Sequence, residues 1–200
     1  MSLHKLKNNA LDNLTSFEGS ASLGDMVFIS SATASSSASI EFSLGSYKEY
    51  KFFFVNMHPQ TDSVNFQFNF STDNGSNYNV TKTTTSFRTY HRESVDAEYV
   101  FSYEASSDLA QSTSDQNMTP NAIGNDNDQS MSGYLQLFNP SSNTFVKHFI
   151  ARNNAVNPND YQVETYTAGY CNTVSPLTNI IFRMSSGNID DGKILMFGLN

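Results

Sequence analysis

A chain of 200 residues with 19 acids and 11 bases has a formal charge of −8, and its 16 Phe and 10 Tyr stand beside only 15% charged side chains. That length suits one domain with an arm, and that composition suits a packed core. An acidic chain with no basic stripe argues against nucleic acid as a partner, no apolar run approaches the roughly 18 residues of a membrane span, and the lone Cys171 can form neither an intrachain disulfide nor a thiolate cluster for zinc.

Residues 1–26 read as an N-terminal arm. Leu3, Leu6, Ala10, Leu11 and Leu14 recur at the spacing of a short amphipathic helix, and no apolar segment of the secretory kind follows Lys5 and Lys7. From Phe17 to Ser39 the chain is rich in Ser, Ala and Gly and only weakly apolar, so the arm needs another surface to pack against.

Residues 27–200 read as the β-domain, where the period becomes two. A strand is expected at Val27–Ser30, and Ile40, Phe42 and Leu44 alternate with Glu41 and Ser43 in the next. Lys51–Val55 is apolar on both faces, which predicts a central strand or one lying between a sheet and a neighbouring subunit. Val64, Phe66, Phe68 and Phe70 alternate with Asn65, Gln67 and Asn69 without exception. The segment Ser71-Thr72-Asp73-Asn74-Gly75-Ser76-Asn77-Tyr78 resembles the Asp-box, S-x-D-x-G-x-[TS]-W, with Asn77 and Tyr78 at its last two positions. Its physical content is a hairpin: Asp73 bonds back to turn amides, Gly75 takes a positive φ, and the aromatic plugs the turn. One copy cannot build a propeller, and the four arginines, Arg88, Arg92, Arg152 and Arg183, do not form the cluster a sialidase site needs, so its role is structural.

Strands follow at Asn79–Thr84, Phe87–His91 and Tyr99–Tyr103. Tyr90-His91-Arg92-Glu93 is the densest titratable cluster, with His91 and Glu93 on one strand face, and is read as a surface ion-pair ladder. Between Glu93 and Val146 lie eight acids and no Lys or Arg, while the other 11 acids balance the 11 bases. This region is expected to face solvent or a basic neighbour. Within it, residues 104–130 form a long acidic polar loop with no common apolar period. Asn125-Asp126-Asn127-Asp128 opens like a calcium loop, but Ser130-Met131 fails the D-x-[DN]-x-[DN]-G pattern, so a solvated loop is expected there.

Further strands are expected at Tyr134–Phe138, Phe145–Ala151, Gln162–Tyr166, Thr178–Phe182 and Lys193–Leu199, with His148 at a surface or subunit contact and Cys171 semi-buried beside Tyr170. About a dozen short strands at regular intervals indicate an all-β, antiparallel, jelly-roll-like β-sandwich with an N-terminal arm or helix. There is no G-x-S-x-G, H-E-x-x-H or phosphate-binding glycine loop, and no nucleophile stands beside a base. No catalytic, cofactor-binding or metal residue is assigned, no cofactor is expected, and the chain is read as a non-enzyme.

Three stretches carry a family resemblance: Tyr47-x-x-Tyr50-x-Phe52-Phe53-Phe54 with Phe66–Tyr78; Gly133-Tyr134-Leu135-Gln136-Leu137-Phe138-Asn139-Pro140 with Lys147; and Leu177–Phe182 through Ser186-Gly187-Asn188 to Gly192–Leu199. Over residues 40–200 the chain is similar to small β-rich virion structural proteins of tailed, marine-type bacteriophages, whose chains tend to close on a G-x-I-x-L-Y-G-I strand. Met196-Phe197-Gly198-Leu199 departs mildly from that ending. The resemblance implies a virion component assembled in the host cytoplasm, a capsid decoration (cement) protein or tail fibre held by contacts with other virion proteins. A homo-oligomer, commonly a trimer, is expected of such parts, and charge and hydropathy leave neither nucleic acid nor membrane as an expected partner. The competing expectation is a carbohydrate-binding, receptor-binding module of a phage tail, with Tyr161, Tyr166 and Tyr170 as its platform.

Overall fold

Alternation assigns nearly every strand one inward and one outward face, and the computed structural model, which describes residues 26–94 and 97–200, assembles these strands into two antiparallel sheets. The strands are β1 (Val27–Thr33), β2 (Ile40–Ser43), β3 (Glu49–Pro59), β4 (Phe66–Ser71), β5 (Lys82–Arg92), β6 (Tyr99–Tyr103), β7 (Gln116–Asn117), β8 (Met131–Phe138), β9 (Lys147–Val156), β10 (Tyr161–Cys171), β11 (Asn179–Met184) and β12 (Ile189–Leu199). The larger sheet runs β1-β12-β3-β8-β9-β10-β5-β6 and the smaller β2-β11-β4-β7. The expected all-β sandwich is therefore what forms. Of the expected arm, residues 1–25 lie outside the described residues.

The core lies where the small sheet covers β12, β3 and β8. Phe182 on β11 is its hub, with ring centroids 5.4 Å from Phe52, 5.2 Å from Phe54, 5.9 Å from Phe66 and 6.5 Å from Phe68. These rings come from both sheets, and Phe52, Phe66, Phe68 and Phe182 are fully buried. Phe52 and Phe54 meet Phe182 edge-to-face and Phe66 stacks on it, and such ring pairs add to the area each ring removes from water. Lys51–Val55, apolar on both faces, does lie inside a sheet, in β3 between β12 and β8, and β11 likewise lies between β2 and β4. Opposite Met57, β12 shifts register, and Gly192 takes φ +121° there; a Cβ would stand 2.7 Å from the Asn56 carbonyl oxygen.

Four expectations need correction. The two strands at Asn79–Thr84 and Phe87–His91 are one strand, β5. The turn around Asp73 joins β4 of the small sheet to β5 of the large one, so it is a corner between sheets and not a hairpin. Its internal bonds are those expected: Asp73 Oδ1 accepts from Ser71 Oγ at 2.7 Å and Asn77 N at 2.9 Å, and Gly75 has φ +82°. Residues 104–130 are not an irregular loop. They carry a 3₁₀ turn (Ala105–Ser107), β7, and bridges from Ser112 to Lys82 and from Ile123 to Val64, and they bury Gln116, Met118 and Ile123. Finally, the surplus acids do not simply face solvent. Glu104 pairs with Arg88 at 3.0 Å, Glu98 with Arg92 at 3.1 Å and Asp115 with Arg183 at 2.6 Å, so this region neutralises the chain's own arginines.

Candidate binding face

The small sheet and residues 104–130 cover one face of the eight-stranded sheet; the other face is open and built from side chains that β-sheet register sets side by side. Phe53 pairs with Tyr134, Tyr134 with Arg152, Arg152 with Tyr166, Tyr166 with Phe87, and Phe87 with Tyr103. One lateral row therefore runs from β3 to β6. Directly opposed residues on adjacent strands stand about 5 Å apart, so flat side chains in such a row stack against one another. The Lys51 ammonium lies 4.4 Å from the centroid of Tyr134 and 5.2 Å from that of Phe53. The Arg152 guanidinium lies 5.1 Å from the centre of Tyr166, whose ring stacks on Phe87 at 4.8 Å and 8°. Phe87 in turn meets Phe101 at 5.5 Å. Cation–π contacts and ring stacking thus engage Phe53, Tyr134, Tyr166 and Phe87 along this row.

A parallel row begins at the opposite edge. Phe28 pairs with Phe197, Phe197 with Lys51, Lys51 with Gln136, Gln136 with Ile150, Ile150 with Ala168, and Ala168 with Thr85. Its later members are shorter than their neighbours, so the row sinks into a trough. Two adjoining depressions of about 210 and 390 Å³ share Thr85, Ile150 and Ala168 as floor, with Tyr166 and Phe87 along one wall and His148 and Tyr170 along the other.

Both edges of this sheet are apolar. Strand β6 exposes Tyr99, Phe101 and Tyr103 at 72%, 72% and 61%, and at the far edge Val27, Phe28 and Ile29 are exposed, with Met26 just before them. An unpaired apolar edge is what single globules ordinarily blunt with charge, proline or a bulge.

The sequence-level candidates are distributed as follows. Tyr166 and Tyr170 share the outer face, but Tyr161 lies on the other side, its hydroxyl bonded to Glu98 at 2.6 Å and its ring 5.2 Å from Tyr90. Three tyrosines do not make one platform, and the faces of Tyr166 are taken by Phe87 and Arg152. His91 and Glu93 form no ion pair among the described residues; Arg92 and Glu98 make the ladder there. His148 is on the surface, as expected, with its ring 6.1 Å from Tyr170. Asp126 and Asp128 are exposed, and no group of three His, Cys, Asp or Glu among the described residues gathers as a metal site. No described helix is long and apolar enough to cross a membrane.

Cys171 is fully buried, not semi-buried, and sits in register between Lys82 and Lys147, both also fully buried. Burial pushes its thiol up to about 12, so it is an inert core group. The same burial lowers the Lys82 ammonium to about 8, and its protons reach Asn69 Oδ1 at 2.6 Å and the Val80 carbonyl at 2.8 Å. Asn69 also donates to Asp115 Oδ1 at 2.9 Å. Burial works to raise Asp115, yet hydrogen bonds from Arg183 and Asn69 hold it below the usual carboxylate range. This Lys82–Asn69–Asp115–Arg183 chain fastens residues 104–130 to both sheets, a role that sequence reasoning missed because its members are far apart in the chain.

Set against protein families, curated proteins and solved structures, the chain matches none.

Proposed function

We propose that this protein is a non-enzymatic bacteriophage virion structural component, a capsid decoration or tail-fibre part held in place by contacts between subunits. The observation that carries this reading is that, among the described residues, the outer face and both edges of the eight-stranded sheet present aromatic rows and unpaired apolar strands. Contiguous apolar surface of this kind marks an interaction site. We read the winding as jelly-roll-like: β1-β12-β3-β8 lies over β2-β11-β4-β7, with successive strands exchanged between sheets. Insertion of β5-β6 and β9-β10 widens one sheet only and creates the outer surface. The family resemblance over residues 40–200 supports the same assignment. A glycan-gripping module is the weaker reading, since pyranose stacking needs a free ring face and Tyr166, the centre of the expected platform, has Phe87 and Arg152 on its own.

The test is the composition of purified particles. The protein should be present in a fixed number of copies, and imaging at subunit resolution should place it on the particle surface. Abundant protein in infected cells with none in particles would refute the assignment. Phe101→Lys on β6 should reduce incorporation at least several-fold while leaving the isolated protein folded.

A further inference from the structure

We infer that the folded chain joins Lys82 to Asn69 through an isopeptide bond, with Asp115 moving the proton. The inference is independent of any place in a virion. Lys82 heads β5 of the large sheet and Asn69 lies on β4 of the small one, and the two are 0% and 1% exposed. The neighbours of the Asn69 amide fix which way it points. Its Oδ1 accepts from Lys82 Nζ at 2.6 Å and from the Phe70 backbone N–H at 2.9 Å. Its Nδ2 donates to the Thr113 carbonyl at 3.0 Å and to Asp115 Oδ1 at 2.9 Å. Turning the amide over would set donor against donor and acceptor against acceptor. Cγ lies one C=O bond beyond Oδ1, so the lysine nitrogen and the carbonyl carbon are at most about 3.8 Å apart. That is close to the near-attack range of about 3–3.5 Å.

A lysine attacks only as the free amine, and burial lowers Lys82 to about 8, so the nucleophile is present at ordinary pH. The neutral Nζ bonds to Cγ, and the charge developing on Oδ1 is met by the Phe70 N–H. The Asp115 carboxylate is kept ionised by Arg183 at 2.6 and 2.9 Å, and its charge and that of Lys82 act on one another. It takes the proton that the attacking nitrogen sheds and passes it to Nδ2. The Cγ–Nδ2 bond then breaks and ammonia leaves, so one C–N bond replaces another with no change of oxidation state. Burial of Lys82 and Asn69 keeps water from competing for Cγ. The closed ring spans residues 69–82, which include the corner around Asp73, and it ties the two sheets covalently. Until the bond closes, the amine titrates and hydrogen bonds alone hold these groups.

Mass spectrometry of the full-length protein, held folded above pH 8 and then denatured and digested, tests this. Trypsin does not cut at a substituted lysine, so residues 52–88 should appear as one peptide lighter by one ammonia. Chymotrypsin, which cuts after Phe70 and Tyr78, should leave Asn69 and Lys82 on two fragments that are still joined. Peptides at their full sequence masses would overturn the inference. So would loss of ammonia with the two fragments separate, which would mark a cyclic imide at Asn74-Gly75 instead. Lys82→Arg should show no loss of ammonia, and loss at the same rate would also overturn the bond. Asp115→Asn should slow closure roughly tenfold or more while its circular dichroism stays that of a β-protein. An unchanged rate in Asp115→Asn would overturn the role given to that carboxylate.

Discussion

The two halves of the eight-stranded sheet fill their inner faces with different chemistry. Beneath β12, β3 and β8 the interior is Phe52, Phe54, Leu135, Leu137, Ile194 and Met196, met by the phenylalanines of the small sheet. Beneath β9, β10 and β5 the apolar Phe149, Ala151, Val163 and Cys171 alternate with or neighbour the buried polar Asn153, Thr165, Thr167, Ser86, Thr84 and Lys82, and residues 104–130 add the buried Gln116 and Thr119. The first half is held by area removed from water, which has no direction. The second adds hydrogen bonds to such area, each of which fixes a position and costs free energy when left unmade. The second half should therefore be the more sensitive of the two to pH.

The largest expected effect breaks the apolar half. Phe182→Ala removes the ring on which both sheets converge and should destabilise the protein by about 4 kcal/mol in denaturant titrations, as large-to-small core substitutions do. A loss under 1 kcal/mol would mean the hub is loosely packed. In the polar half, Asn69→Leu strips Lys82 and Asp115 of their shared partner and should cost about 2–3 kcal/mol. Hydrogen exchange should also speed up in residues 104–130 and not in β3 or β12.

A pH titration separates the halves further. Lys82 has a folded-state pKa near 8, against about 10.5 for an unfolded chain. At Lys82, while its amine is free, the unfolded state therefore binds more protons between those values, so this group contributes stability that rises with pH, by about 2–3 kcal/mol from pH 8 to pH 10. The buried Cys171 thiol, pushed up to about 12, works in the opposite direction over the same range. The Lys82 contribution is therefore read as the difference between the protein and its Lys82→Met variant, whose stability should fall relative to the parent as pH rises. No pH dependence in that difference would show that the ammonium is better solvated than its burial indicates.

The smallest effect concerns Asn153, which is 1% exposed with neither amide atom bonded within the described residues. Asn153→Leu should be neutral or stabilising by about 1 kcal/mol, since it removes a polar group that has no partner. A loss above 2 kcal/mol would reveal a bonded amide, through ordered water for instance.

The same contrast explains what was legible in the sequence. Strand β4 is plain from residues 64–70, because its inward side chains are Phe and its outward ones are amides. Strand β5 divides into two because its inward residues between Lys82 and Arg88 are Thr84 and Ser86, and a polar inner face imitates a loop. For the same reason residues 104–130 read as solvated while the fold draws Gln116 and Thr119 fully inside. Charge misleads in parallel: an acidic run is visible in the sequence, but the arginines it answers, Arg88, Arg92 and Arg183, are brought to it only by the sheets. The outer face is the least legible part. Its row is assembled perpendicular to the chain, from single residues on separate strands, and no window along the sequence contains it.

The placement of the last two strands also dictates an order of events during synthesis. Strand β12 lies between β1 and β3, and β11 lies between β2 and β4, so β1 and β2 have no neighbour in their own sheet until residues 179–199 follow, and β3 and β4 have only β8 and β7 on one side. At about 5–20 residues per second the first four strands spend several seconds with four apolar edges unmatched. Such non-local closure is slow by its topology alone. A nascent chain halted before residue 179 should be held by chaperones or aggregate, whereas the released full-length chain should fold in a single late step.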